Sequence, residues 1–124
     1  MKISRIIFAC FIILASKASA QRPHYEFLAV RGTSDTIGKF EVEMYPAIAK
    51  EHVRNFDSLV AAKFFDSTAF HRVVPGFVIQ GGDPNSKKGP RSTWGFGQPW
   101  QQNVPAEFNP ISHVRGVFSA ARDN

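Results

Sequence analysis

Hydrophobic and polar positions alternate cleanly from Lys39 to Tyr45: Phe40, Val42 and Met44 share one face, and Lys39, Glu41 and Glu43 the other. A period of two predicts a half-buried antiparallel strand with one wet face. Tyr25–Val30 is a second strand candidate, and the turn-rich Arg31-Gly32-Thr33-Ser34-Asp35 joins the pair into a hairpin. Pro46 ends the alternation. From Ile48 to about Lys63 the period lengthens, with Ala49, Val53, Phe56 and Val60 recurring at three and four and Leu59 widening the stripe. That spacing predicts an amphipathic helix over about 48–63, with Phe56 and Val60 on the sheet and Lys50, Glu51, Arg54 and Asp57 in water.

Two further β runs, Ala69–Val74 and Phe77–Gln80, are joined through Pro75-Gly76, a dipeptide that marks a tight turn. Alternation puts Phe70, Arg72 and Val74 on one face of the first strand and His71 and Val73 on the other. In the second, Phe77 and Ile79 share a face, opposite Val78 and Gln80. Gly81-Gly82-Asp83-Pro84 stops the run, and Asn85–Gln102, rich in Gly, Pro, Ser and Lys, is expected to be a long loop. Its aromatics, in Trp94-Gly-Phe-Gly-Gln-Pro-Trp100, are expected to pack the loop down onto the domain. Ala106-Glu-Phe108 is expected to form a short element and Gly116–Ala121 a small-residue strand.

Charge changes the picture only through the first twenty residues. Lys2 and Arg5 precede an apolar run from Ile6 to Ala15, and Ala18-Ser19-Ala20 follows, so residues 1–20 read as a secretory signal peptide too short to span a bilayer. The leader holds three of the fifteen cations and none of the ten acids, so the formal charge falls from +5 to +2 in residues 21–124. That balance gives no case for nucleic-acid binding, and Lys87, Lys88 and Arg91 read as a solvated loop face. Cys10 is the only cysteine and departs with the leader, which excludes disulfide and thiolate chemistry from the remainder. Residues 21–124 amount to one domain. His24, His52, His71 and His113 stand in no metal-binding spacing, and Gly81-Gly82 lacks the lysine and hydroxyl residue of a phosphate-cradling loop. Glu107 and Asp83 read as turn and barrel-end hydrogen bonders rather than a catalytic carboxylate pair.

The run from Phe70 to Pro84, FHRVVPGFVIQGGDP, resembles the signature of the cyclophilins, the peptidyl-prolyl cis-trans isomerases. Supporting matches are Asn55-Phe56 in the helix, Val104-Pro-Ala-Glu-Phe-Asn109, and Arg115-Gly-Val-Phe-Ser-Ala-Ala121. The resemblance covers roughly residues 25–124. It implies a mainly β fold, an eight-stranded antiparallel barrel with a helix plugging each end. Here it implies an incomplete barrel with one capping helix, because the family continues beyond Asn124 with a Ser-Gln-Phe-Phe segment, further strands, a second helix and the tryptophan and histidine of the site.

The chemistry implied is rotation about an Xaa-Pro amide, which must surrender ~20 kcal/mol of C–N resonance stabilisation. No cofactor, acid, base or nucleophile is needed, only a group that favours the twisted amide, whose pyramidal nitrogen gains a lone pair. By resemblance Arg72 is that group, since a guanidinium is planar, charged and multiply donating. Read without the motif, Arg72 would be an arginine paired to a carboxylate on a wet strand face. The resemblance makes Phe77 the floor of a proline pocket, with Val78 lining it where the family usually has methionine or another aliphatic residue. It makes Gln80 the grip on the substrate carbonyl, Ala121 a small residue lining the groove, and Arg122 the position, often asparagine in the family, whose backbone binds substrate. His71 is expected to be a hydrogen-bonding support beside the site. The expected partners are proline-containing segments of exported proteins, with no nucleic acid, no stable membrane insertion and a monomeric state. A non-catalytic module that holds proline segments, or an inactive fragment, is the alternative.

Overall fold

The computed structural model describes residues 22–122, so the leader reading for residues 1–20 lies outside the described residues. Two antiparallel hairpins and a helix make up most of the regular structure. Strands β1 (His24–Arg31) and β2 (Asp35–Glu43) form the first, helix α1 (Lys50–Ala61) follows, and β3 (Phe70–Val74) and β4 (Val78–Gly81) form the second. A one-turn helix α2 (Asn85–Lys88) and a 3-10 turn (Arg91–Thr93) come next. The expected mainly β class therefore holds, and among the described residues the barrel is open: each sheet has two strands and neither pairs with the other.

The first hairpin is set by its cross-strand pairs. Phe27 lies opposite Phe40 and the rings stack at 4.8 Å. Glu26 faces Glu41, a like-charge pair that would weaken the ladder, and Lys39 offsets it by reaching Glu26 at 2.7 Å. Arg31 and Asp35 close the turn end through a 2.6 Å ion pair. Burial along β2 deepens toward α1, from Phe40 at 38% exposed to Met44 at 7% just past the strand end.

Helix α1 is shorter than the expected 48–63 because both ends are used for turns. Ile48 and Ala49 donate to the Tyr45 carbonyl at 2.9 and 3.2 Å in the approach to the helix. At the other end Lys63 adopts φ 54°, Phe64 N–H donates to the Leu59 carbonyl at 2.9 Å and Lys63 N–H to that of Val60 at 2.9 Å. This is the paired hydrogen-bond pattern that terminates helices at a left-handed residue, here without the usual glycine. Val53 is buried and Phe56 half-buried, whereas Val60, expected on the sheet, is 37% exposed.

Phe56 joins the elements into one aromatic cluster. Its ring meets Tyr25 edge-on at 5.0 Å, stacks on Phe65 at 4.9 Å and meets Phe118 edge-on at 5.4 Å. Phe27 and Phe40 continue the cluster to Phe70 of the second hairpin, at 6.5 Å from Phe40. Met44 and Val53 are the buried apolar residues among those described, and no side chain there is fully buried, so the interior is held by half-buried rings more than by a sealed core.

Two C-terminal expectations need correction. Gly116–Ala121 forms no strand; all six residues are exposed, and a strand exists only where a neighbouring backbone completes its ladder. Ala106–Phe108 forms no regular element either, because the role of that stretch is carried by a side chain, Glu107, described below.

Candidate functional site

The second hairpin fixes the site. Val74, Pro75, Gly76 and Phe77 make a tight turn closed by a 3.0 Å bond from Phe77 N–H to the Val74 carbonyl, with Gly76 at φ 75° in the third position. Proline presets the second position of such a turn, and the third requires positive φ, which glycine supplies without a Cβ clash. Phe77 thereby emerges directly from the turn, three residues before Gln80. The ladder then pairs Arg72 with Gln80, Val73 with Ile79 and Val74 with Val78, with an irregularity between Phe70 and Arg72 that leaves His71 unpaired. Residues directly opposite share a face, so Arg72 and Gln80 project together.

Three of the expected residues come together. Arg72 Nη1 donates to Gln80 Oε1 at 3.2 Å, and the Arg72 guanidinium carbon stands 5.7 Å from the Phe77 ring centroid. The carboxylate partner that Arg72 would have on an ordinary wet strand is missing among the described residues; its hydrogen bond goes to a neutral amide instead. With Gln80 Oε1 occupied by the guanidinium, the Gln80 amide N–H groups remain free to donate, and the guanidinium keeps further N–H donors for a second acceptor. A cation, an amide donor and a ring are thus held on one rigid hairpin.

Other expected residues stand differently. Phe77 is not the floor of an enclosed pocket: it is 75% exposed, because a turn residue needs neighbouring elements to wall it in and none does so here. Val78 is half-buried opposite Val74. Ala121 and Arg122 are exposed, and no hydrogen bond or ring contact among the described residues joins them to Arg72, Phe77 or Gln80. Arg122 instead lies over Phe108, at 5.3 Å from its ring centroid. His71, expected to hydrogen-bond beside the site, has a buried Nδ1 with no partner among the described residues. Its ring packs against Gly95, where an added Cβ would come within 3.4 Å of it.

The loop after β4 is braced, not structureless. Asp83 is buried and accepts from the backbone N–H of Asn85 at 3.0 Å and from that of Gly95. Those amides hold its carboxyl below the usual carboxylate range against the opposing cost of burial, which is the largest single influence on it. Ser86 Oγ accepts from Ala69 N–H at 2.8 Å and donates to the Asp83 carbonyl at 2.6 Å, tying α2 to the start of β3. Asn85 Nδ2 donates to the carbonyls of Thr93 and Gly97 at 3.1 and 2.7 Å. Trp94 is half-buried and its indole N–H reaches the Gly89 carbonyl at 2.9 Å, as a loop packed down should show, whereas Phe96 at 83% and Trp100 at 65% exposed do not follow that expectation. Asp83 had a turn signature, Asp-Pro; Asn85 and Ser86 did not stand out from an ordinary loop.

A second long-range brace was invisible in sequence. Helix α1 has no side-chain cap of its own at Ala49. Glu107 supplies one from more than fifty residues away, accepting from the backbone N–H of Glu51 at 3.0 Å, that of His52 at 2.9 Å and His52 Nδ1 at 2.7 Å. The first turn of a helix presents unsatisfied amides that favour a carboxylate. The two amides, then the His52 ring, draw the Glu107 carboxyl down to about 2. The expectation that Glu107 serves as a hydrogen bonder is met, with its partner the helix end.

Comparison with known proteins converges on one family. Residues 29–124 match the profile of the family described as "Cyclophilin type peptidyl-prolyl cis-trans isomerase/CLD". The chain is 40% identical over 84 residues to peptidyl-prolyl cis-trans isomerase B of Bacillus subtilis, covering 67% of this chain and 54% of that protein. It is 36% identical over 110 residues to peptidyl-prolyl isomerase cwc27 of Rhizopus delemar, covering 88% of this chain and 21% of that protein. Similarity to the spliceosome-associated protein CWC27 homolog of Xenopus laevis is 41% over 91 residues, covering 72% of this chain and 19% of that protein. The chain therefore spans about half of the bacterial relative and about a fifth of the other two. No solved structure gives a significant match.

Proposed function

The chain belongs to the cyclophilin-type peptidyl-prolyl cis-trans isomerase family, and on that premise we propose that it accelerates cis/trans interconversion of Xaa-Pro bonds in other polypeptides. The observation that carries the reading is the Arg72–Gln80–Phe77 triad on the second hairpin, with the guanidinium over the ring and hydrogen-bonded to the amide. A proline ring laid against Phe77 brings the prolyl nitrogen under the guanidinium. As the amide twists, its nitrogen lone pair localises and becomes an acceptor for an Arg72 N–H that the planar amide could not engage. The bond is stronger in the twisted state than in the planar one, and that difference lowers the barrier. Gln80, its oxygen already taken by Arg72, donates to the carbonyl beside the rotating bond and holds one side of the amide still. Removing one such preorganised donor typically costs ~10²–10³ in rate.

Export is part of the proposal. Its support is the basic Lys2 and Arg5, the apolar Ile6–Ala15 and the Ala18-Ser19-Ala20 cleavage pattern, which together direct the domain to the periplasm or outside, where it acts on exported proteins. Expression of the full chain followed by N-terminal sequencing of the exported product tests this; a start at Gln21 is expected, and an intact Met1 in the cell fraction refutes it.

A second reading is favoured by one observation. Phe77 at 75% exposed is an unwalled surface rather than a pocket, which suits a module that holds proline segments without turning them over. Line-shape or exchange NMR on an Ala-Pro peptide separates the two. Accelerated exchange at catalytic amounts of the 124-residue chain is the expected result. Saturable binding with an uncatalysed exchange rate supports the holding module and refutes catalysis.

A further inference from the structure

Positive charge is distributed unevenly over the molecule. Among the described residues up to Asp66, six cations are interspersed with seven acids, and Arg22, Arg31, Lys39 and Arg54 each pair with a carboxylate. From Ser67 to Ala106 there are four cations, Arg72, Lys87, Lys88 and Arg91, and one acid, Asp83. Asp83 is buried and spends its oxygens on the amides of Asn85 and Gly95, so it neutralises none of them at the surface by direct contact. None of the four cations forms an ion pair among the described residues, and all four are exposed.

These charges are held by a braced scaffold. Lys87 Nζ stands 5.7 Å over the Phe64 ring and the Arg91 guanidinium 5.7 Å over Trp94. The loop that carries them is cross-tied through Asn85, Ser86 and Trp94 and docks on the hairpin where Gly95 meets the ring of His71, the residue next to Arg72. The loop that carries these unneutralised cations therefore borders, through Gly95 and His71, the strand that carries the catalytic candidate. Fields from clustered like charges extend over about a Debye length, ~8 Å at physiological ionic strength, and raise the local concentration of oppositely charged ligand.

Resting on the isomerase reading, we propose that this face selects the substrate class: proline segments flanked by acidic residues, whose carboxylates are drawn to Lys87, Lys88 and Arg91 while the proline sits against Phe77. Direct contact is not required, since the three charges act through the field, and selection is accordingly strongest at low salt.

The test uses the full chain and three synthetic peptides with a central Ala-Pro bond flanked by two Glu, two Ala or two Lys residues. Kd is read from tryptophan fluorescence and turnover from exchange NMR, at about 0.02 M and about 0.5 M salt. The Glu peptide is expected to bind about tenfold more tightly than the Lys peptide at low salt, and within about twofold of it at high salt. The triple reversal Lys87→Glu/Lys88→Glu/Arg91→Glu inverts that order, while Lys39→Gln on the first hairpin leaves it unchanged. Equal affinities at low salt, a preference that survives high salt, an order unaffected by the reversal, or binding of none of the peptides overturns the inference. The affinity ratio is read independently of turnover. A retained acidic preference without turnover refutes only the isomerase reading, and turnover without preference refutes only this one.

Discussion

Phe56 should be the most sensitive position in the interior, because the aromatic cluster takes the place of a sealed core. Three rings contact it at centroid separations of 5.4 Å or less, from β1, from the segment after α1 and from the C-terminal stretch. Each aromatic pair is worth about 0.5–1.5 kcal/mol beyond the area it buries. Phe56→Leu keeps most of the volume and loses the ring geometry, so three contacts set an upper bound of about 1.5–4.5 kcal/mol. Half-burial reduces that to about 1–2 kcal/mol, since rings partly in contact with water recover hydration when the partner is lost. Phe56→Ala adds a cavity and should reach about 3 kcal/mol, the lower end of the range for deleting a buried ring. Urea titration followed by far-UV circular dichroism measures both, and a double-mutant cycle with Phe118→Leu should return a coupling of about 0.5–1 kcal/mol. A Phe56→Ala variant within about 0.5 kcal/mol of the parent, the spread of ordinary surface substitutions, would refute the cluster as the organising contact.

Gly76→Ala meets nothing within 4 Å, so its effect is the cost of φ 75° alone: a loss of about 1–2 kcal/mol in thermal or urea melts, with weaker proline-peptide binding as Phe77 is displaced. Asp83→Asn weakens acceptance from Gly95 and Asn85, and faster hydrogen exchange at the Gly95 amide than in the parent is expected; unchanged protection would contradict the brace. Glu107 makes stability depend on acid pH. Its folded carboxyl sits at about 2 against an ordinary 4.5, so its contribution is fully present above pH 4.5 and is lost as pH falls from there through about 2. The parent should therefore lose stability more steeply across that window than Glu107→Gln, and parallel pH profiles would exclude the helix-capping role.

Much of this architecture was legible because its signals are local. Alternation around Phe40 and Val42, the helical stripe through Val53 and Phe56, and Pro75-Gly76 each report on a few neighbouring residues, and each gave an element in the right place. The candidate site was legible through its motif rather than through parity: Arg72 and Gln80 share a face because three residues, Pro75, Gly76 and Phe77, separate Val74 from its partner Val78, whereas a two-residue turn would set Arg72 opposite Ile79. What escaped is long-range. Nothing near Glu107 announces the amides of Glu51 and His52, and Asn85 and Ser86 acquire their partners only when α2 folds back on β3. Gly116–Ala121 shows the converse: its strand-like composition is real, yet a ladder depends on a partner that composition does not describe. The irregularity in β3 leaves His71 without a cross-strand partner, and its buried Nδ1 has no hydrogen-bond partner among the described residues, a local distortion that ideal alternation cannot foresee.

In the mechanism proposed above, the Arg72 guanidinium acts on the twisted amide rather than on the bound proline segment. Isomerisation kcat/KM and peptide Kd should therefore be measured side by side for the parent and Arg72→Ala with the same Ala-Pro peptide. A fall of ~10²–10³ in kcat/KM is expected, with Kd raised no more than about threefold. Equal losses in both would show that Arg72 only holds the segment against Phe77, and the mechanism would be wrong.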